Sequence, residues 1–237
     1  YTALKAHNIL FVPASGRQYY SIINYFPAMK NDLAIIAENG TYVTYKGEEL
    51  FVDELNRDIV HSIIKEVRKI EGAHLVLAGK NAAYVESTDA EFLDYFKNYY
   101  DKNCWVEDLT KIKNEQFIKI AVQHNGGTEQ FVYPKLINFE QHNLKVVVSG
   151  EVWLDIMNTK SNKGVALKAL MDKLDIKSEE IMVFGDFMND LEMLSLTKNS
   201  YAMENAHQLV KDNANYSAPS NDENGVIQII KQYLQNI

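Results

Sequence analysis

The stretch Ile181-Met182-Val183-Phe184-Gly185-Asp186-Phe187-Met188-Asn189-Asp190 decides the fold of this chain. An apolar run of buried-strand character stops at a glycine. Asp186, Asn189 and Asp190 follow, and Leu191, Met193 and Leu194 then begin a helical pattern. In a parallel α/β sheet the carboxyl end of a strand is where a ligand site forms. Asp186 therefore stands at a strand tip, with Asn189 and Asp190 near a helix N-terminus. Hard carboxylate oxygens there suit Mg²⁺, and helix N–H groups suit phosphate. Taken alone, the pattern also fits an ordinary strand–turn–helix with a polar loop.

Working outward, the flanks continue in βα rhythm. The spacing of Leu167, Leu170 and Met171 predicts a helix over 165–174, opened by a polar loop that carries Lys160 and Lys163. After the decisive stretch come a short strand around 201–203, a helix from Ala206, a polar loop over 217–224 and a terminal helix over 226–234. The N-terminal end repeats the theme. Ile9 to Val12 reads as a buried strand ending in Pro13-Ala14-Ser15-Gly16-Arg17, with an amphipathic helix over 19–26 behind it. Ser15 offers a hydroxyl, Gly16 admits close backbone approach, and Arg17 brings charge; a capping serine with a turn glycine is the plainer alternative. A third strand, 33–37, ends at Glu38-Asn39-Gly40, and a hairpin follows over 42–52.

Between these ends the pattern changes. A helix over 53–70, strands near 75–78, 82–85 and 117–122, a helix over 88–100, a helical stretch over 127–141 and a hairpin over 144–156 make an α+β set rather than a βαβ series. The expected fold is an α/β, doubly wound, mainly parallel-sheet core of Rossmann-like type with an inserted α+β cap domain. Residues 1–52 and 151–237 form the discontinuous core and 53–150 the cap.

Composition narrows the partners. The 237 residues are 46% hydrophobic and 24% charged, with a net charge of −8 and basic residues spread along the chain. Nucleic acid and anionic membranes are poor partners for such a surface, and no apolar run is long enough to span a bilayer. The single cysteine, Cys104, excludes an internal disulfide and fits a reducing, cytoplasmic setting; with no histidine nearby it reads as a structural, partly buried thiol. The chain opens with Tyr1 inside what reads as the tail of a helix, so an element is expected to precede it, and no targeting segment is ruled in or out.

Set side by side, Ser15-Gly16-Arg17, Lys163-Gly164 and Gly185-Asp186-Phe187-Met188-Asn189-Asp190 resemble, in this order, motifs two, three and four of the haloacid dehalogenase-like superfamily. The Asn39-Gly40 turn, the α+β insert and the run Ser220-Asn221-Asp222-Glu223-Asn224-Gly225-Val226 are similar to its Cof-type sugar-phosphatase branch. The resemblance covers nearly the whole chain. The family's first motif, Asp-x-Asp-Gly after a strand, is absent and is expected before Tyr1, so no residue in hand takes the nucleophile or acid/base role. Gln18 stands where many relatives carry proline.

The resemblance implies Mg²⁺-dependent hydrolysis of a small phosphorylated metabolite, such as a sugar phosphate, through an aspartyl-phosphate. Asp186 would ligate the metal. Lys163 would place positive charge at the phosphoryl group, with Asp190 holding Lys163 or supporting the metal through water. Ser15, Gly16 and Asn189 would bind phosphoryl oxygens, and Arg17 and Asn39 would face the substrate. Alternatives stay open: Lys160 competes with Lys163, Asp190 also suits a helix cap, and Arg17 also suits a surface ion pair. A phosphomutase of the same superfamily, or a non-catalytic binding protein if the first motif is truly absent, are the other readings. The expected assembly is a monomer or homodimer, with the insert closing as a lid that selects substrate. His74, His124 and His142 are candidates for that lining, or structural histidines.

Overall fold

The structure is a computed structural model that describes residues 1–236. It divides into two compact units: residues 1–15, 29–51 and those from Asn162 onward form the first, and residues 16–28 and 52–161 the second.

The first unit is built on a parallel three-stranded sheet in the order Val183–Gly185, Ser200–Met203, Tyr216–Ala218. These are short apolar runs joined through helices, the connection that parallel pairing requires. A second sheet holds Ala34–Ala37 antiparallel to Tyr42–Tyr45, with Glu48–Val52 outside it. All four residues of Ala34–Ala37 are buried. Ala14 forms a single parallel bridge to Ile36, so residues 9–12 do not make the strand that their apolar run predicts. The core joins Ile36 and Val43 to Ala166, Leu167 and Met171 of the helix Lys163–Leu174, and to Val183, Leu194, Ala202 and Val210. Each Val, Leu, Ile or Met side chain among them contributes about 1.5–3 kcal/mol on removal from water, before the cost of ordering it.

The second unit is a six-stranded sheet in the order Asn103–Trp105, Ala83–Val85, Ala73–Gly79, Phe117–His124, Trp153–Asn158, Leu144–Val148. The helix Arg57–Val67 buries Val60, Ile63, Ile64 and Val67 against it, the i, i+3, i+4, i+7 stripe of an amphipathic helix. It starts where the Asn56 side chain accepts from the Asp58 and Ile59 amides at 3.0 and 3.2 Å, a cap that the helix expected over 53–70 overran. The stretch 127–141 is broken into the short helices Thr128–Phe131 and Tyr133–Leu136 and a 3₁₀ segment, because Pro134 has no amide to continue the first turn.

The expected domain boundaries move at two points. Residues 151–161 belong with the second unit, because Trp153–Asn158 pairs with both Phe117–His124 and Leu144–Val148 in its sheet. Residues 16–28 also belong there. The Gln18 amide exchanges hydrogen bonds of 2.8 and 2.9 Å with the Lys102 main chain, and Ser21 and Asn24 donate to the Asp101 carboxylate at 3.0 and 2.6 Å. Cys104 is exposed rather than partly buried, since its strand lies at the sheet edge. No described helix is long and apolar enough to cross a membrane.

Candidate active site

The first unit gathers six of the candidate residues: Ser15, Asn39, Lys163, Asp186, Asn189 and Asp190. Lys163 is the first residue of its helix, behind Asn162, whose side chain accepts from the Val165 amide at 2.8 Å. A cation at a helix N-terminus opposes the macrodipole. Here it is held by a charge: Lys163 Nζ donates to Asp190 Oδ1 at 2.7 Å, with both side chains more than nine-tenths buried. Lys160, three residues earlier, is exposed and falls in the second unit.

Asp190 uses its other oxygen as well. Oδ2 accepts from the amides of Asp186 at 3.0 Å and Phe187 at 3.2 Å, which closes the turn after Val183–Gly185. That closure needs Gly185, where a Cβ would lie 2.7 Å from the Asp190 Cβ. Asp190 is thus neither a simple helix cap nor an isolated ion-pair partner. It ties the lysine to the strand-end loop.

Asp186 is fixed through its main chain and presents its side chain. Its amide goes to Asp190, and its carbonyl accepts from the His207 amide at 2.9 Å. Its carboxylate is exposed and accepts no hydrogen bond from the described residues. A carboxylate held this way can take a ligand without first breaking a bond. No cluster of three or more His, Cys, Asp or Glu side chains suited to a metal is present among the described residues. A lone exposed carboxylate of this kind is compatible with Mg²⁺, a cation that keeps several waters and takes few carboxylates.

The remaining residues join by short links. Asn189 Nδ2 donates to Asn39 Oδ1 at 2.9 Å, and the Asn39 amide donates to the Ser15 carbonyl at 3.1 Å. The Ser15 amide in turn donates to the Ile36 carbonyl at 2.9 Å, which fixes Ser15 at the end of the buried Ala34–Ala37 strand. Glu38 and Asn39 both adopt left-handed backbone, at φ 48° and 58°. Asn tolerates this conformation, whereas Glu38 adopts it at a cost on the order of 1–3 kcal/mol in holding the turn. Gly16 and Arg17 are grouped with the second unit, and Arg17 is exposed. His74 stacks on Phe92 and bonds Ser87, and His124 bonds the Glu71 carbonyl and the Gly126 amide, so both have structural roles. Sequence reading missed the contacts of Asn162, Gln18 and His207. The first two are polar residues just before helices, a signal in plain view; the third acts through its amide, which leaves no trace in residue type.

A family model for haloacid dehalogenase-like hydrolases matches residues 1–230, and the chain belongs to that family. It is 31% identical over 237 residues to the 5-amino-6-(5-phospho-D-ribitylamino)uracil phosphatase of Escherichia coli K12, covering all of this chain and 87% of that protein. A Bacillus subtilis phosphatase of the same name is 27% identical over 230 residues, 93% of this chain and 83% of the relative. A crystal structure of a Streptococcus mutans UA159 protein superimposes with a TM-score of 0.85 at 30% identity, covering 99% of this chain and 89% of that one.

Proposed function

We propose that this chain carries the phosphate- and metal-binding residues of an Mg²⁺-dependent phosphatase that hydrolyses the monoester of a small phosphorylated polyol or sugar. The observation that carries the reading is the buried Lys163–Asp190 pair, whose carboxylate also holds the loop bearing Asp186. Family membership and relatives named as 5-amino-6-(5-phospho-D-ribitylamino)uracil phosphatases support the reaction class, and the ribityl phosphate in that name suggests a five-carbon phosphorylated chain in the substrate.

In this reading Asp186 is the ligand for Mg²⁺, which when bound would supply positive charge to the phosphoryl oxygens. Lys163 holds a second positive charge on a rigid helix start. Because Asp190 fixes its ammonium before substrate arrives, little reorganisation remains at the moment of reaction. Asn189 is oriented by Asn39 so that its amide stays in one rotamer, and Ser15 offers a hydroxyl from a loop pinned to the buried strand. None of the 237 residues is assigned as the nucleophile or the acid/base.

The test is phosphate release by the full-length enzyme from a panel of sugar and alditol phosphates, with and without EDTA. Release that needs Mg²⁺, favours five-carbon phosphates and is lost in Asp186→Asn is the expected result. Transfer of phosphate within the substrate without release would identify a mutase. Full activity of Asp186→Asn at ordinary Mg²⁺ would sink the metal assignment.

A further inference from the structure

The second unit carries a wide-open cavity of about 750 Å³ at its surface, lined by Arg57 and His61 and by the loop from Thr110 to Asn114. It shares no residue with the Lys163–Asp190 cluster. That volume lies within the range of small-molecule sites. Its composition is unusual for a protein of net charge −8: three permanent cations and a histidine line it, and no carboxylate does. Basic residues that look scattered in the sequence are brought together here from a helix and a loop.

The arrangement is built rather than accidental. Arg57 and His61 lie four residues apart on the helix Arg57–Val67, so they share a face. The Arg57 guanidinium donates to the Ile112 carbonyl at 2.8 Å and the Glu115 carbonyl at 2.6 Å, and lies over the Phe117 ring at 4.7 Å. It thereby staples both ends of the turn that carries Lys113, a turn in which Asn114 takes left-handed backbone at φ 59°. Carbonyls hold the guanidinium in place without cancelling its charge, and three of its five N–H donors remain. Neither Arg57 nor Lys113 has a carboxylate partner among the described residues. Lys111 lies 3.8 Å from Asp108, a carboxylate already engaged by Arg68. The His61 ring adds a buried Nε2 without a hydrogen-bond partner among the described residues.

We propose that this cavity binds a phosphate group, carried by a small metabolite or as inorganic phosphate, at a site additional to the catalytic one. A preorganised guanidinium and two flexible ammonium groups match the several oxygens and the double charge of phosphate better than a carboxylate's single charge.

The test follows amide resonances of the full chain by NMR during titration with inorganic phosphate, a sugar monophosphate or a nucleoside diphosphate, with sodium chloride at matched ionic strength as control. The site predicts saturable shifts at residues 57–61 and 110–114, with Kd of about 1 mM or tighter for at least one probe. Lys111→Glu/Lys113→Glu should weaken that binding by roughly tenfold or more, with stability unchanged as for most surface substitutions. Shifts with inorganic phosphate identify the phosphate group alone as the ligand; shifts only with the organic phosphates identify a metabolite. The proposal is overturned if these resonances do not respond at up to about 20 mM probe, well above such a Kd, if sodium chloride shifts them equally, or if Lys113→Gln and the double variant bind as the parent does. None of these outcomes depends on catalysis, so failure here is separable from failure of the phosphatase reading.

Discussion

Asp190 bonds with both carboxylate oxygens: one to the Lys163 ammonium, the other to the Asp186 and Phe187 amides. A buried ion pair is worth little to stability when intact, but removing one partner typically costs about 3–5 kcal/mol, because the other charge stays buried. The pair is therefore better explained by positioning than by stability. Lys163→Ala should lower kcat of the full-length enzyme by about 10²–10³, the typical effect of losing one preorganised charge. Lys160→Ala should stay within about twofold, since an exposed lysine makes only screened contacts. Steady-state kinetics on one accepted substrate, with folding of each variant checked by circular dichroism, decide it. A crippled Lys160→Ala beside a normal Lys163→Ala would reverse the assignment.

At the scale of elements, the turn after Ala34–Ala37 is the most constrained piece of backbone near the site. Gly40 takes φ +96°, and a Cβ there would lie 2.3 Å from the Asn162 carbonyl oxygen, at the start of the helix that carries Lys163. Only glycine lets the turn and the helix start approach so closely. Gly40→Ala should destabilise the protein by about 2–4 kcal/mol through backbone strain and overpacking together. Urea unfolding measures it. A loss below about 0.5 kcal/mol, the level of an ordinary surface substitution, would show that the turn relaxes freely.

The whole molecule should lose stability on acidification in two stages. Burial against Phe92 holds the His74 imidazole below its ordinary pKa of 6.5. A histidine kept neutral in the fold favours the folded state above pH 6.5 and progressively less below it. The second stage belongs to carboxylates. Hydrogen bonds from Arg68 and Thr110 hold Asp108 well below the usual range. Burial pushes Glu86 up, but Arg68 and the Leu109 amide outweigh it, and Lys5 and Tyr1 lower Asp32. Carboxylates depressed in the fold stabilise it above their unfolded pKa, near 4, and that contribution is lost as pH falls through the folded values. Melting temperature against pH should show a shallow decline from about pH 6.5 and a steeper one below about pH 4.5. His74→Phe should remove the first stage and Arg68→Met should soften the second. Unchanged curves in both variants would show that other groups govern acid unfolding.

The amino-acid sequence by itself determined the strand-end polar loops, the amphipathic stripe of Arg57–Val67 and the order of motifs that places the chain in its family. These are properties of neighbours a few residues apart, where periodicity and turn chemistry act. Tertiary structure decided the rest. Lys160 and Lys163 are the same residue type in one loop, and only packing buries the second beside Asp190, 27 residues on. Asn39 meets Asn189 across 150 residues. Residues 151–161 carry a strand pattern that suits either unit, and the register with Phe117–His124 assigns them to the second. The basic cavity of the second unit brings Arg57 and His61 near Lys111 and Lys113 through a staple of two carbonyl hydrogen bonds. In each case the partner is chosen by which buried polar groups must be satisfied once the chain has folded back on itself, a demand that no local window of sequence contains.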